Sequence, residues 1–275
     1  MATRKHRVWF ARWNRRALTL LDRPFAEELA AVLDADVIVE RRNRQWRLSE
    51  PHFNRTRSRV WGKLGFERAQ DEIVYENRDY IVRAAPAAVQ RTFVYYVIDL
   101  PTRVMAFEDR APLISQEGFL DAFRQISKSA GWELDSLGDH AKFEAWLESV
   151  DRVVRYSATL VRPNPWTHAE QVRALVDEPN ARTANLEVRN DSDAEGLRVA
   201  GTVIEATSEH ADAGNGRYKA TGVRGTVHRY FDSARKLLTR VIEVDDSDTD
   251  ESTVAKIEKT LDDVELPTRE PGGEE

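Results

Sequence analysis

Along the chain the hydrophobic positions switch repeatedly between a period of two and a period of three to four. His6 to Trp13 (HRVWFARW) alternates as a strand with one buried face does. From Arg23 to Asp34 the period lengthens. Phe25, Leu29, Val32 and Leu33 share one face of a predicted amphipathic helix, with Pro24 in its first turn, where a missing N–H is harmless. Val37 to Val39, Trp46 to Leu48 and Val60 to Phe66 are short β-type runs parted by polar, Arg-rich loops. Thr92 to Asp99 (TFVYYVID) has the character of a buried strand, and Val104 to Phe107, after Pro101, reads as its hairpin partner. Ser115 opens a helix with Glu117 near its start and Phe119, Leu120, Phe123 and Ile126 along it, stopping at Gly131. Ala141 to Ser149 forms another helix.

Arg152 to Arg162 (RVVRYSATLVR) predicts a strand ended by Pro163-Asn164-Pro165-Trp166. Thr167 then caps a helix to Val176, with Glu170 three residues on completing a capping box. Gly196 to Ala211 fits either period and is read as helix, and Ala213-Gly214-Asn215-Gly216 as a turn. From Arg217 the chain alternates again, with Tyr218, Ala220 and Gly222 on one side and Lys219, Thr221 and Val223 on the other. Leu237 to Val244 (LLTRVIEV) predicts the return strand and Asp232 to Lys236 the loop before it, so the basic residues lie along a long antiparallel ribbon. An acidic connector (DDSDTDES) leads to a helix from Thr253 to Val264 with Ile257 and Leu261 on one face. The expected fold is α+β, with antiparallel sheets and packed helices in two domains. Residues 1–150 form the first, and residues 151–266, with the basic ribbon, form the second. A disordered tail, 267–275, follows, and no internal repeat stands out.

The 275 residues are 41% hydrophobic with 13 Gly and 10 Pro, the composition of a chain that folds. There is no Cys, which excludes disulfides, Cys-ligated zinc, iron–sulfur clusters and thiol nucleophiles. Apolar runs such as Phe93 to Ile98 fall far short of the roughly 20 residues that cross a bilayer. The basic N-terminus lacks an apolar h-region, so a cytoplasmic protein without direct membrane insertion is expected.

The net charge of −6 argues against nucleic acid until it is divided along the chain. Residues 1–70 carry 16 Lys/Arg against 8 Asp/Glu, and residues 240–275 carry 4 against 13. Between Arg217 and Arg240 stand seven basic residues (Arg217, Lys219, Arg224, Arg229, Arg235, Lys236, Arg240) and one acid, Asp232. Such blocks create local potentials that a total does not report.

Catalytic signatures are missing. No phosphate loop, GxGxxG, GxSxG or HExxH occurs, no cofactor is expected, and the chain is read as a binding protein and not as an enzyme. His210 with Asp212 is the one tight His/Asp pair, and a solvated helix end accounts for it. A metal-dependent nuclease with acids among Asp36, Glu40, Asp99 and Glu108 is the alternative, and a module whose Arg blocks bind acidic partners is another. The basic ribbon points instead to phosphates. Arg217, Lys219, Arg224 and Arg229 would present a row of cations along about 12 residues, with Arg235 and Lys236 beyond them, which supplies affinity without base specificity. Tyr218, Tyr230 and Phe231 interleave with these cations, as stacking groups or as core. Trp9, Trp13, Trp46 and Trp61 stand in the basic N-terminal part, where sheet packing accounts for them better than base stacking does.

The strand Val153 to Val161 running into Arg162-Pro163-Asn164-Pro165, then a helix, a Gly-containing turn, the basic segment Gly216 to Arg229 and a return strand resembles the RexA-like exclusion proteins of temperate phages. That family is in turn similar in fold to RdgC, a recombination-associated protein that dimerises around duplex DNA. The likeness covers mainly residues 150–262. It implies a two-domain homodimer that binds double-stranded DNA without sequence preference and triggers defence against superinfecting phage. The same likeness implies a RexB-like membrane protein as functional partner. It offers no catalytic motif, and its DNA-contacting character transfers to Arg217, Lys219, Arg224 and Arg229.

Overall fold

The computed structural model describes residues 3–15, 24–35, 37–41, 44–67, 71–76, 79–84, 92–127, 132–162, 170–176, 178–179, 181–190 and 195–264. In chain order the elements begin β1 (Thr3–Arg15), α1 (Phe25–Asp34), β2 (Val39–Arg41), β3 (Arg44–Leu48), β4 (His52–Phe53) and β5 (Arg59–Glu67). Next come β6 (Asp71–Glu76), β7 (Asp79–Ala84), β8 (Thr92–Asp99), β9 (Val104–Glu108), α2 (Gln116–Ile126), β10 (Trp132–Ser136) and α3 (His140–Glu148). The remainder is β11 (Arg152–Val161), α4 (Glu170–Val176), β12 (Thr183–Arg189), α5 (Val203–His210), β13 (Gly216–Arg224), β14 (Val227–Asp232), β15 (Thr239–Asp245) and α6 (Asp250–Asp262). The fold is α+β, with antiparallel ladders wherever register is defined.

The chain divides into two compact units that are not the contiguous spans 1–150 and 151–266. One is Met1–Val8, Ala17–Glu133 and Val241–Asp263, and the other is Trp9–Arg16, Leu134–Arg240 and Val264–Glu275.

In the first unit the strand order is β1-β9-β8-β5-β3-β2, with β15 beside β1 and β4 beside β5, while β6 and β7 pair with each other. Residues Val94 to Ile98 of β8 and all five residues of β9 are buried, because both sheet faces are covered. On one face Tyr96 meets Phe123 edge-on at 5.2 Å, and Phe107 stacks on Phe119 at 4.0 Å, both partners lying on α2. Ser115 is the N-cap of α2, accepting from the N–H of Gly118. On the other face α6 buries Val254, Ile257 and Leu261. Its Asp250 accepts the Tyr95 hydroxyl at 2.6 Å and pairs with Lys63, and its Asp262 pairs with Arg59 at 2.5 Å. The last three residues of the acidic connector therefore belong to the helix: α6 begins at Asp250, capped by Thr249, and not at Thr253.

In the second unit the strand order is β12-β11-β13-β14. Tyr156, Ala158, Leu160, Tyr218, Ala220 and Phe231 point from this sheet into a core closed by Phe143 of α3, Val172 and Val176 of α4 and Ile204 of α5. Two expectations change here. Only Val203–His210 of the segment from Gly196 to Ala211 is α-helical, since Gly196 and Gly201 take positive φ and the Leu197 N–H donates to Val153 O (2.6 Å) in a bridge to β11. The basic ribbon is also rebuilt. β13 turns at Gly225-Thr226 into β14 and not into Leu237–Val244, whose strand β15 joins β1 of the other sheet. Gly225, at φ +59, occupies the loop position where a tight hairpin needs a residue without Cβ. β11 occupies the other edge of β13, so the ribbon is half of a four-stranded sheet. The capping box at Thr167, the Pro163–Trp166 stop and the tail 267–275 lie outside the described residues.

Ile257 is fully buried in the first unit. Ile257→Ala should lower the free energy of unfolding by about 2–5 kcal/mol, read from the urea midpoint. A chain cut after Val244 should lose the cooperative unfolding of this unit, and a cut chain that melts like the intact one would show α6 to be dispensable.

Candidate nucleic-acid interface

The period of two and the register together decide which side chains leave the second unit's sheet on the face that none of its described helices covers. Arg155 pairs with Thr221 of β13 and Arg189 of β12, and Thr221 pairs with Tyr230, so Arg189, Arg155, Thr221 and Tyr230 form one row across four strands. In the next row stand Glu187, Ser157, Lys219 and Asp232, and in the third Asn185, Thr159 and Arg217. Arg155, Arg189, Arg217 and Lys219 are all exposed. Glu187 accepts from Nε of Arg189 (2.8 Å) and of Arg155 (3.0 Å), and these bonds, Arg189's first, hold its carboxyl below the usual range. Lys219 Nζ is 3.7 Å from Asp232, whereas Arg217 makes no ion pair with a described residue. Four cations stand against the two carboxylates Glu187 and Asp232, so the face keeps an excess of positive charge. Tyr230, 76% exposed, closes its top row.

The six basic residues expected at the site are all exposed but do not form one row. Arg217 and Lys219 lie on the open face. Arg229 pairs with Gly222 and Arg224 with Val227, which puts both on the opposite, helix-bearing side at the hairpin end. Arg224 stands five positions after Lys219, and an odd step reverses the face. Arg235 is in a single 3-10 turn (Ser233–Arg235), Nε 3.9 Å from Asp232, and Lys236 caps that turn. Of the interleaved aromatics, Tyr218 and Phe231 are core and Tyr230 is exposed. Arg155 and Arg189 escape a reading of local runs, because only strand pairing brings them beside Lys219.

A buried polar cluster stands behind this face. Asp212 accepts from the Tyr218 hydroxyl and pairs with His140 Nδ1, each at 2.9 Å, while the Tyr156 hydroxyl meets Thr207 Oγ1 at 2.9 Å. His210, the sequence neighbour of Asp212, contacts Val161 O through Nε2 (3.0 Å) instead. Burial pushes the Asp212 carboxyl up despite these bonds and holds the Tyr218 phenol well above its ordinary value, while the bond to Asp212 raises His140. A Cβ on Gly138 would stand 2.0 Å from Asp212 Oδ1, so glycine is required beside this carboxylate.

The first unit uses several of its described cations internally. Arg4 pairs with Asp246 (3.2 Å), Arg41 with Asp121, Arg59 with Asp99 and Asp262, and Lys63 with Asp250; Arg44 donates to Leu113 O. Trp13 and Trp46 are core. Among the acids weighed for a nuclease, Glu108 is fully buried against His6 (2.6 Å), the Tyr95 N–H and Arg110, and Asp99 holds Arg59 and both the N–H and hydroxyl of Thr102. Glu40 accepts from Gln45, and Asp36 lies outside the described residues. Among the described residues no three His, Cys, Asp or Glu side chains group to hold a metal ion.

Because His140 gains a partner on folding, its contribution is fully present below its unfolded pKa of about 6.5 and is lost as pH rises through the raised folded value. The urea midpoint should fall over that interval by an amount equivalent to about 1 kcal/mol, the imidazole's partial exposure screening the pair. His140→Asn should abolish this step, and an unchanged profile in the variant would assign it to another group. No protein-family model matches the chain, and no curated protein matches its sequence.

Proposed function

We propose that the protein binds double-stranded DNA without sequence preference through the open sheet face of the second unit. The observation that carries this is the convergence of Arg155, Arg189, Arg217 and Lys219, all exposed, on one rigid face from three strands. Arg217 and Lys219 stand two residues apart on β13, about 7 Å, so two charges can meet one phosphate backbone at once. Arg235 and Lys236 extend the cationic rim at the end of β14. Arg224 and Arg229 belong to the opposite side and are not part of this contact. The resemblance to RexA-like proteins supplies the setting: a homodimeric, cytoplasmic sensor of a prophage-encoded exclusion system, acting with a RexB-like membrane protein. That setting is proposed on the resemblance alone.

Fluorescence anisotropy on labelled duplexes of unrelated sequence tests the binding. Wild-type affinity should be alike for all of them and fall steeply with salt. Arg217→Glu with Lys219→Glu should weaken every duplex equally and reduce the log–log salt slope by about 2, roughly 0.9 for each phosphate that is no longer neutralised. Unchanged binding by that variant, with its melting curve intact, removes the open face from consideration. Tyr230→Ala should leave duplex binding within twofold, since paired bases offer no free ring to stack on; a large loss confined to single strands would instead make unpaired nucleic acid the ligand.

A further inference from the structure

Arg224 and Arg229 are exposed, make no ion pair with a described residue and lie off the open face. The register sets them with Val227, itself 61% exposed, on the helix-bearing side around the Gly225-Thr226 turn, as a small cationic and apolar knob. The same side of the second unit carries a cleft of about 560 Å³. Its walls bear five carboxylates, Glu144, Glu148, Asp151, Glu195 and Glu205, and its apolar lining includes Phe143, Leu147 and Leu197. The basic groups among its lining residues are Arg152 and His140. Glu144 and Glu148 stand one turn apart on exposed positions of α3, a like-charge spacing that costs helix stability unless a cation comes between them.

Knob and cleft are neighbours. Asp151, on the cleft wall, accepts the N–H of Gly225 at the hairpin turn (2.6 Å). A surface with a basic, apolar projection next to an acidic, apolar hollow is complementary to itself, and a two-fold axis passing between the two would fill both hollows at once. The geometry points to a homodimer in which Arg224, Val227 and Arg229 of each copy occupy the cleft between α3 and α5 of the other. It rests on the homodimer proposed above and gives that dimer its surface, while leaving Arg217, Lys219, Arg155 and Arg189 outside the contact.

Sedimentation velocity and native mass at low salt test this on the full chain. Wild type should be a dimer that weakens as salt rises. Glu144→Lys with Glu148→Lys, and separately Arg224→Glu with Arg229→Glu, should each weaken self-association by about 100-fold or more, because like charges then face one another. Mixed in equal amounts the two variants should form a heterodimer, since both of its contacts again join opposite charges; that rescue also shows both to be folded. If either pair of changes prevents folding, Val227→Asp on the exposed turn should break the dimer alone. Variants that dimerise as tightly as wild type would overturn this interface and leave a homodimer formed elsewhere. A wild-type chain that stays monomeric would overturn both this interface and the proposed homodimer, without bearing on the DNA contact.

Discussion

In the second unit the Tyr218 hydroxyl donates to a carboxylate, Asp212, that is almost wholly removed from water. Neither group can leave the other cheaply, because an unsatisfied buried hydroxyl or carboxylate costs on the order of 1–3 kcal/mol or more. Burial keeps the phenol protonated and therefore always a donor. The bond pins β13 to the turn Ala211–Asn215 that precedes it, while Phe143, Tyr156 and Phe231 pack around the same ring. A slip of one residue in β13 would bury Arg217 and Lys219 and expose Tyr218. The outward direction of the cations is thus fixed from inside the core.

The opposed charge blocks of the sequence have different fates. In the first unit the basic N-terminal part and the acidic C-terminal part meet: Arg4 with Asp246, Lys63 with Asp250 and Arg59 with Asp262. Asp250 and Asp262 tie α6 to β5, and Asp246 ties the segment before α6 to β1. The basic run from Arg217 has only Asp232 as an ion-pair partner among described residues and keeps its charge toward solvent. A net charge of −6 is therefore compatible with a face on which cations outnumber acids.

Elements whose pattern is local were legible in the sequence. The four apolar positions of α1, the Ser115 cap of α2, the β8–β9 hairpin and β11 are where period and capping chemistry put them. What failed depended on pairing between distant segments. Leu237 to Val244 has as good a strand pattern as β14, and only the ladder shows that β14 takes the place beside β13. Gly196 to Thr202 carries helix-like spacing, but two glycines at positive φ and a bridge to β11 override it. In the candidate site, alternation found Lys219 opposite Tyr218, yet carrying it to Arg224 ignored that an odd step changes face, and Arg229 takes its side from its pairing with Gly222 across the hairpin. His140 could not be matched with Asp212 across 72 residues.

The return of α6 to the first unit has a consequence for synthesis. Its core includes Val254, Ile257 and Leu261, among the last described residues of the chain, packed over strands β8 and β9 made some 150 residues earlier. During translation those strands wait, with one face open, until α6 has cleared the ribosome, whereas β11 to β14 leave it as neighbours that can pair at once. The later-made sheet can therefore be complete before the earlier one, and the interval in which β8 and β9 lack their cover is the period when the nascent chain most needs protection from aggregation.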